Sequence, residues 1–475
     1  MLYCGTLPGL TLKEHQTNIA RFMNHTTRKG LVLFHDTGTG KSITSIAIVS
    51  CLLTKNRRRN RKTAYIITPA SVVKQFENEL TRAQLPDDVR DRIKVWSHQK
   101  WLNAVQKGEI DPTGSVIVVD EAHKFRTPVR TVKKKVGDRI VMERVPKYTL
   151  SLLRAAYLAD KVVMMTATPT VNRPIDVANY MAVLNETGVD PDVTEYATFK
   201  DGTGSVPAAE EYLRCAFSRQ EKNRDDFPSV REKTIKVRMS AAYSKMYQEI
   251  DNNLPVSPPT KEIFGDKTEE QLKAFLNAKR RAVNKIKHAS PKVRWCVKKI
   301  SDEAKKNNKS IVYSAFLDNG VKMIVEELEK KQVSHAMING STSKADRFAL
   351  TQRYNAGDIH VLIVSSAGAE GIDTKGTANV ILLEPFWHTS RTKQVIGRAV
   401  RSGSHAHLPP NKRHVTVYKL ISIPAVADET KFFSIDQYMD ALQTKKEVNT
   451  KEITEIIERQ SIESLGSAEC LRRRQ

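Results

Sequence analysis

The sequence has no long apolar run and few cysteines. No run approaches the ~18 apolar residues that a bilayer-spanning helix needs, and Met1–Pro8 show no signal-peptide pattern, so we expect no membrane segment. The cysteines form no CxxC pair or metal spacing, and His405 and His407 have no Cys or carboxylate spaced to join them. We therefore expect a reducing compartment and no structural zinc. The cysteines are Cys4, Cys51, Cys215, Cys296 and Cys470.

Acidic residues are also in deficit. Asp and Glu number 53 against 77 Lys and Arg, so the formal charge of the 475-residue chain is +24. Such an excess suits a polyanionic partner, of which nucleic acid is the commonest. The basic runs at 55–62 and 133–135 suit either phosphate contact or a solvated surface, and the sequence leaves both readings open. The length is sufficient for two or three domains with their own cores.

Short apolar runs alternate with helical patterns in two stretches of the chain. Near-continuous apolar strands separated by helices are typical of parallel sheets covered on both faces, so the sequence predicts an α/β fold with two doubly wound lobes. The predicted segments are lobe one (1–200), a helical insertion and linker (201–290), lobe two (291–430) and a helical basic tail (431–475). The apolar runs are Leu31–Phe34, Ala64–Ile67, Lys94–Trp96, Val116–Val119 and Val162–Met165, then Ile311–Tyr313, Ala336–Ile338, Val361–Val364, Val380–Leu383 and Val415–Leu420.

Residues 35–42, His-Asp-Thr-Gly-Thr-Gly-Lys-Ser, lie between an apolar run and a helical pattern. This spacing predicts a phosphate-binding loop, in which backbone N–H groups and a helix N-terminus hold a triphosphate. The loop departs from the strict form because His35 stands where the first glycine would be. Two later glycines still allow the tight turn and the close approach of the backbone to phosphate. We therefore predict nucleotide binding by Thr37, Gly38, Thr39, Gly40, Lys41 and Ser42.

A second motif, Asp-Glu-Ala-His at 120–123, directly follows the apolar run Val116–Val119. The carboxyl end of a strand in a parallel sheet is where ligands bind. We predict that Asp120, with the hydroxyl of Ser42, holds Mg²⁺, and that Glu121 is the general base for the attacking water. The alternatives are an ordinary βα turn for the loop and a solvated acidic strand end for this motif. Together the two motifs predict hydrolysis of a nucleoside triphosphate.

The two motifs resemble those of superfamily 2 helicase-type ATPases with an Asp-Glu-Ala-His box, and other motifs of that family follow in order. Gln16 stands in a segment that resembles the adenine-recognition element. Ile67–Pro69 resembles the first nucleic-acid contact of lobe one. Thr166 and Thr168 lie in a segment that resembles the motif linking hydrolysis to lobe movement, which implies a coupling role for them together with His123.

The second half of the chain carries segments that resemble the lobe-two motifs of the same family. Gly368–Asp373 resembles the motif that faces nucleotide and nucleic acid, and Gln394–Arg401 resembles the motif that supplies arginine fingers. The resemblance therefore implies two RecA-like lobes with a nucleotide cleft between them, in which hydrolysis depends on closure. The implied residues are Gly371 and Asp373 for nucleotide binding, and Gln394, Arg398 and Arg401 for catalysis.

Finer features resemble the Swi/Snf-like branch, which moves along duplex DNA, and within it the ATPases of large nucleocytoplasmic DNA viruses (the poxvirus nucleoside triphosphate phosphohydrolase group). This resemblance implies ATP and Mg²⁺ as cofactors, nucleic acid as partner with duplex DNA favoured over RNA, and a viral RNA polymerase as a further partner. It implies an intracellular location, in the host cytoplasm or the virion, with the nucleus as an alternative. The features are Phe227–Val230, Val237–Ser240, Ser290–Lys292, Gly340–Thr342, Arg347, Leu408–Pro410 and Ser434–Tyr438.

We therefore expect a nucleic-acid-dependent ATPase, acting as a duplex DNA translocase in viral transcription or genome handling. One alternative is an RNA or DNA helicase that separates strands, which the acidic box alone would permit. Strand separation needs an apolar wedge, and residues 200–290 have few aromatics to supply one. The other alternative is a catalytically silent scaffold that binds polymerase. The intact residues Lys41, Asp120, Glu121, Arg398 and Arg401 argue against it.

Overall fold

Two units make up the chain in the computed structural model. Unit 1 comprises Met1–Lys222 and Lys446–Gln475, and unit 2 comprises Asn223–Lys445. The structure describes residues 3–55, 62–125, 132–136, 139–143, 147–170, 177–184, 206–222, 226–251, 269–365, 368, 372–387, 389–425 and 433–472, with the backbone alone in a few segments of helix and strand.

Unit 1 is built on a parallel sheet. Its strands are β1 (Gly30–His35), β2 (Ala64–Thr68), β3 (Ile93–Ser97), β4 (Val116–Val119), β5 (Val132–Val136), β6 (Arg139–Glu143), β7 (Lys161–Thr166) and β8 (Phe217–Gln220). Six of them form a parallel sheet in the order β3-β2-β4-β7-β1-β8, while β5 and β6 form an antiparallel hairpin. Since all six strands run in one direction, their carboxyl ends share one edge of the sheet, which is the ligand-binding edge of such folds.

Helices cover both faces of this sheet. One apolar cluster joins Leu33 of β1 to Ile46, and the other joins Val32 of the same strand to Trp101 and Tyr180. Both faces are therefore shielded from solvent, which explains why β1 and β4 are buried along their whole length and are apolar except for His35. The helices are α1 (Glu14–His25), α2 (Lys41–Lys55), α3 (Val73–Arg82), α4 (Asp87–Arg90), α5 (His98–Gln106), α6 (Lys147–Leu158), α7 (Ala178–Leu184) and α8 (Val206–Leu213).

Unit 2 repeats this architecture. Its strands are β9 (Ser229–Arg238), β10 (Lys309–Ser314), β11 (His335–Ile338), β12 (Val361–Ser365), β13 (Thr377–Leu382) and β14 (His414–Ile423), all parallel in the order β11-β12-β10-β13-β14-β9. Two apolar clusters lie on its faces. The helices are α9 (Ala241–Asp251), α10 (Glu269–Ala282), α11 (Pro291–Lys305), α12 (Met323–Lys330), α13 (Lys344–Ala356), α14 (Thr389–Ala399) and α15 (Ile435–Arg459), the last of which continues into unit 1.

The predicted fold class is confirmed, but the predicted helical insertion is not. Within 201–290 the structure places β8 at one edge of the first sheet and β9 at one edge of the second. We missed both strands because edge strands need no apolar run. Strand β8 has only four residues, and β9 is charged and mostly exposed along its ten residues. The Pro-rich part of this region, 254–260, lies outside the described residues.

The tail is helical as predicted, but it is not a separate segment. Its second half completes unit 1, where Ile453, Ile456 and Ile457 of α15 are buried in the apolar cluster around Val32. Two short helices follow, α16 (Ile462–Leu465) and α17 (Ser467–Arg472). The predicted boundaries at 200 and 431 therefore differ from the division at Lys222 and Lys445.

The expectation of reduced cysteines is also wrong for this structure. Cys4 is bonded to Cys51, with their Cα atoms 4.5 Å apart, and Cys215 to Cys470, with theirs 5.6 Å apart. Cys296 is buried and free. The partners are 47 and 255 residues apart in sequence, so no spacing pattern could have indicated either pair.

Two of the Swi/Snf-like features meet in the core of unit 2. Ser290 caps helix α11 by accepting a hydrogen bond from the Val293 N–H (3.3 Å). The buried ammonium of Lys292 then pairs with the carboxylate of Asp436 at 2.7 Å. That carboxylate also accepts from the backbone N–H of Ser422 (2.9 Å). These residues therefore fix α11 and α15 to the sheet.

Candidate active site

The phosphate-binding loop joins the carboxyl end of β1 to the first turn of α2. Gly38 and Gly40 have φ of 86° and 90°, in the left-handed region that glycine adopts without strain. A Cβ atom on Gly40 would lie 2.6 Å from Nε2 of Gln16, so a side chain there would displace the Gln16 amide. The loop therefore presents backbone N–H groups at the N-terminus of a 15-residue helix, an arrangement that attracts anions.

The ammonium of Lys41 is held by the loop itself. Its Nζ donates to the carbonyl oxygens of His35 (2.8 Å) and Asp36 (3.0 Å). Burial lowers the pKa of Lys41, and the negative charges of Glu121 and Asp120 oppose that change. Lys41 is thus a half-buried cation held by neutral carbonyls, and a phosphate oxygen is a stronger acceptor than either of them.

Gln16 and Thr39 stabilise the same loop. The Nε2 of Gln16 donates to the carbonyl of Gly40 (3.3 Å), and its Oε1 accepts from the N–H of Lys13 (2.9 Å). The hydroxyl of Thr39 donates to the carbonyl of Asp36 (2.8 Å). Both side chains are buried. The structure thus places Gln16 against the loop, and its predicted contact with adenine stays a prediction, as does the role of Thr37.

Asp120 follows β4 and is anchored on both oxygens. Its Oδ2 accepts from the hydroxyl of Thr68 (2.8 Å), and its Oδ1 accepts from the N–H of Glu121 (2.9 Å). Burial, and then repulsion from Glu121, raise the pKa of Asp120 to about 6. The site therefore holds negative charge that its own hydrogen bonds do not fully compensate, which fits a cation.

The chemistry of the two predicted ligands, Asp120 and Ser42, suits Mg²⁺. A carboxylate and the hydroxyl of Ser42 are hard ligands of the kind that this ion takes, with substrate phosphates and water completing the shell. When bound, Mg²⁺ would neutralise charge on the phosphate oxygens. The metal-binding assignment of Ser42 and Asp120 remains a proposal.

Glu121 belongs to a polar chain that reaches β7. Its backbone is left-handed, with φ of 51°, and its Oε2 lies 3.2 Å from Nδ1 of His123. The same Nδ1 lies 3.3 Å from the hydroxyl of Thr166, which donates to the carbonyl of Thr168 (3.1 Å) and accepts from the Thr168 N–H (3.0 Å). The predicted base and the three predicted coupling residues are therefore connected, which fits a link between hydrolysis and movement.

Sequence reasoning missed two supporting residues. Thr68, in the segment that resembles the first nucleic-acid contact of lobe one, is buried at the end of β2, and its hydroxyl holds Asp120. His98, at the start of α5, lies with Nε2 2.8 Å from the carbonyl of Asp120. Burial lowers the pKa of His98 to about 4, so it is neutral and donates from Nε2 at physiological pH. A polar residue directly after each strand of a parallel sheet was the available signal.

Arg219, on the edge strand β8, is a further residue that the sequence did not indicate, and it contacts the loop. Its Nη1 donates to Oδ1 of Asp36 (3.0 Å), and its guanidinium carbon lies 4.3 Å from the centre of the Phe34 ring. The hydroxyl of the preceding residue, Ser218, lies 2.8 Å from Nε2 of His35. His35 is buried, and burial lowers its pKa well below the ordinary value. The residue that replaces the first glycine is thus a neutral side chain bonded to β8.

The predicted lobe-two residues lie around helix α14 in unit 2. Nη1 of Arg401 is 3.2 Å from Oδ1 of Asp373, and its Nε donates to the carbonyl of Gly397 (3.2 Å). Gln394 and Arg398 are half-buried on α14, and the Arg398 carbonyl accepts from the hydroxyl of Thr374 (2.9 Å). Gly371 lies outside the described residues. The catalytic roles of these arginines and of Gln394, and the nucleotide contacts of Gly371 and Asp373, remain predictions.

Comparison with known proteins places this geometry in a family. A family model described as SNF2-related domain matches residues 15–290, more than half of the chain. The chain belongs to the SNF2-related family. A second model, described as helicase conserved C-terminal domain, matches residues 291–403 of this SNF2-related protein. The chain is accordingly an ATP-hydrolysing enzyme of the helicase type, with two RecA-like lobes.

The relatives of this SNF2-related protein include viral ones. A protein of Acanthamoeba polyphaga mimivirus named as an ATP-dependent RNA helicase is 28% identical over 478 residues, covering 96% of this chain and 99% of that relative. A termination factor NPH-I homolog of African swine fever virus is 33% identical over 138 residues, which is 28% of this chain and 19% of the relative.

A solved structure of the Sulfolobus solfataricus SWI2/SNF2 ATPase core in complex with dsDNA aligns over 99% of this chain and 98% of that chain, with 20% identity and a TM-score of 0.41. That score is too low to support a conclusion about function. Among the described residues of this SNF2-related protein, none of the helices has the length and apolar character to cross a membrane.

Proposed function

We propose that this SNF2-related ATPase is a duplex DNA translocase that serves viral transcription or genome handling. The supporting observation concerns residues 201–290, where a strand-separating wedge would be expected. The aromatic side chains Phe217, Tyr243 and Tyr247 are fully buried (0% exposed) and belong to the apolar clusters of their units. A buried ring cannot unstack bases. Tyr212 and Phe227 are half-buried, so the side chains that the structure describes in this region include no exposed aromatic wedge.

The proposed hydrolysis uses the residues of unit 1 in separate roles. Lys41 leaves the carbonyls of His35 and Asp36 and binds the β- and γ-phosphate oxygens, while the loop N–H groups hold the remaining oxygens. Glu121 accepts the proton of the attacking water, and His123 at 3.2 Å keeps its carboxylate oriented. The link from His123 to Thr166 then carries the change in the site to the end of β7.

The proposed role of unit 2 is to supply positive charge. Arg398 and Arg401 would stabilise the transition state once the lobes close on ATP, and in GTPase precedents such an arginine is worth roughly 10³–10⁵ in rate. In the described structure Arg401 pairs with Asp373, so closure must exchange that ion pair for phosphate. ATP turnover would thereby depend on nucleic acid that holds the lobes together.

The proposed contact with DNA is mainly electrostatic. The +24 charge provides many cations for backbone phosphates, and such contacts carry no sequence information. The side chains of the basic runs at 56–61 and 133–135 lie outside the described residues, so their contribution stays a prediction. In infected cells the enzyme would act in the cytoplasm or virion, with a viral RNA polymerase as its partner.

The deciding experiment compares nucleic acids and then substrates. ATPase rates are measured with duplex DNA, single-stranded DNA and RNA, and the proposal expects the largest stimulation by duplex DNA. A triplex and a forked duplex are then offered with ATP. Release of the third strand with an intact fork supports translocation. Unwinding of the fork without triplex displacement would overturn it.

A strand-separating helicase is the second candidate. One observation favours it: the ring of Phe348 on α13 is 68% exposed and follows Arg347 and the turn at 340–342. If this ring were a wedge, Phe348→Ala would abolish fork unwinding while ATP hydrolysis persisted. The wedge role would be excluded if wild type and Phe348→Ala unwind the fork to the same extent and both displace the third strand of the triplex.

A further inference from the structure

The side chain of Arg219 connects the C-terminal tail of the chain to the phosphate-binding loop. The side chain of Arg219 is only 13% exposed, and its guanidinium faces three carboxylates. It donates to Asp36 (Nη1–Oδ1, 3.0 Å), to Glu458 of α15 (Nε–Oε1, 3.0 Å) and to Glu221 (Nη2–Oε1, 3.2 Å). Its flat face covers the ring of Phe34, the residue before His35. One cation thus joins the tail to the loop.

Asp36 forms hydrogen bonds with both the phosphate-binding loop and the residues around β8. Its carbonyl accepts from Lys41 Nζ (3.0 Å) and from the hydroxyl of Thr39 (2.8 Å). Its N–H donates to the carbonyl of Gln220 (2.9 Å), and its Oδ2 accepts from the Lys222 N–H (3.3 Å). The position of Asp36 therefore determines where the Lys41 ammonium and the Thr39 hydroxyl lie, and both belong to the loop that would bind a triphosphate.

The strand that carries Arg219 is itself fixed by the tail. Glu463 of α16 accepts from the hydroxyl of Ser218 and from the N–H of Arg219, both at 2.6 Å. Ser218 also contacts His35, so a second polar path runs from tail to loop. Among the residues that the structure describes, the four-residue edge strand β8 pairs with β1 alone, so these tail contacts take the place of a neighbouring strand.

We propose that Arg219 is a positioning residue of the ATP site, and that Glu458 and Glu463 of the tail hold it so that Asp36 presents a loop competent to bind ATP. Arg219 acts through Asp36 and is not itself a catalytic residue. The inference rests on ATP hydrolysis by this family and is independent of the duplex DNA proposal.

The tail has other anchors that do not touch the loop. Cys215 is bonded to Cys470, and its N–H donates to the carbonyl of Gln460 (2.8 Å). Arg459 pairs with Glu210 at 3.1 Å, with their side chains 54% and 33% exposed. Removing one carboxylate of the Arg219 cluster should therefore leave the tail in place. Glu210→Gln removes a similar tail ion pair away from the loop and is the matched control.

The test measures ATP binding and turnover of the full chain in saturating nucleic acid. Variants are Arg219→Ala, Arg219→Lys, Glu458→Gln and the control Glu210→Gln. Hydrogen bonds between charged groups are strong enough that Arg219→Ala should raise the KM for ATP by about tenfold, with kcat changed less than about twofold. Glu458→Gln and Arg219→Lys should give smaller rises, since a lysine cannot bond Asp36 and Glu458 with one planar group. A fluorescent, non-hydrolysable ATP analogue should show the same order in Kd.

Three outcomes would overturn the proposal. One is an unchanged KM in Arg219→Ala; another is an equal rise in Glu210→Gln, which would indicate a general effect of loosening the tail. The third is a fall in Tm without a change in ATP affinity, which would indicate a purely structural role. If Arg219→Ala does not fold, Glu458→Gln and Arg219→Lys decide by the same criteria. If duplex DNA fails to stimulate the wild type, only the duplex DNA translocase proposal is refuted. The proposal for Arg219 is unaffected, because it depends on comparing KM between the wild type and the four variants under one condition.

Discussion

Replacing Asp120 with Asn should stabilise the protein without nucleotide while abolishing hydrolysis. Burial and repulsion from Glu121 raise the pKa of Asp120 from its ordinary value of 3.8 to about 6. The folded state then binds the proton more tightly than the unfolded state, so stability falls as the pH rises from about 4 through 6. At about 1.4 kcal/mol per pKa unit, ionised Asp120 costs about 3 kcal/mol at pH 8.

The asparagine has the same shape and no charge. Its amide can accept from the Glu121 N–H and donate to the Thr68 hydroxyl, so most of the local geometry should persist. The free energy of unfolding in urea should therefore exceed that of wild type by about 3 kcal/mol at pH 8 and by less than about 1 kcal/mol at pH 4. Asp91→Asn, at an exposed position of the same unit, is the control.

The measurement is a pair of urea titrations at each pH in EDTA, repeated with Mg²⁺ and a non-hydrolysable ATP analogue. With Mg²⁺ and the ATP analogue, the free energy of unfolding of wild type should rise to that of Asp120→Asn, because binding to the folded state stabilises it. A gain for Asp120→Asn that is equal at pH 4 and pH 8 would refute the electrostatic explanation. So would a loss of stability at pH 8.

Further substitutions test the remaining assignments. Glu121→Gln should bind ATP but hydrolyse it at least ~100-fold more slowly, since an amide accepts no proton, and near wild-type phosphate release would contradict the base role. Lys41→Ala should lose ATP affinity in the same fluorescent-analogue assay. Arg398→Lys and Arg401→Lys should each depress kcat strongly, because an ammonium lacks the planar fork, and full turnover in both would exclude arginine fingers. Affinity for duplex DNA should fall log-linearly with salt, and a flat response would contradict backbone binding. Lys292→Met should lower the free energy of unfolding by about 3–5 kcal/mol, because it leaves Asp436 buried without its cation, and an unchanged urea midpoint would show that the pair contributes little.

Local patterns predicted the residues that lie next to one another in sequence. The loop at 35–42 and the box at 120–123 each combine an apolar strand with polar residues directly after it, so the chemistry and its position at the sheet edge could be inferred together. The parallel sheets followed from the same alternation of apolar strands and helices. Gln16 could be indicated only by resemblance, since nothing in its own helix shows that it reaches Gly40.

The rest depended on contacts that no local pattern encodes. Arg219 meets Asp36 across 183 residues and Glu458 across 239, and its strand is too short and too polar to be recognised. His98 and Thr68 occupy strand ends, yet only the order of strands shows that both face Asp120. The exposed, charged strand β9 has no apolar run because it lies at the edge of the sheet, where no strand of the described residues pairs with its outer side.

The division of unit 1 has a consequence for synthesis. Residues 446–472, which bury Ile453, Ile456 and Ile457 in its core and fix β8, are translated after the 223 residues of unit 2. At about 5–20 residues per second, that interval lasts roughly 10–45 seconds. During it the nascent first lobe exposes an apolar surface and an unpaired sheet edge to solvent. Unit 2 can therefore fold on the ribosome before unit 1 is complete, although it comes second in the sequence.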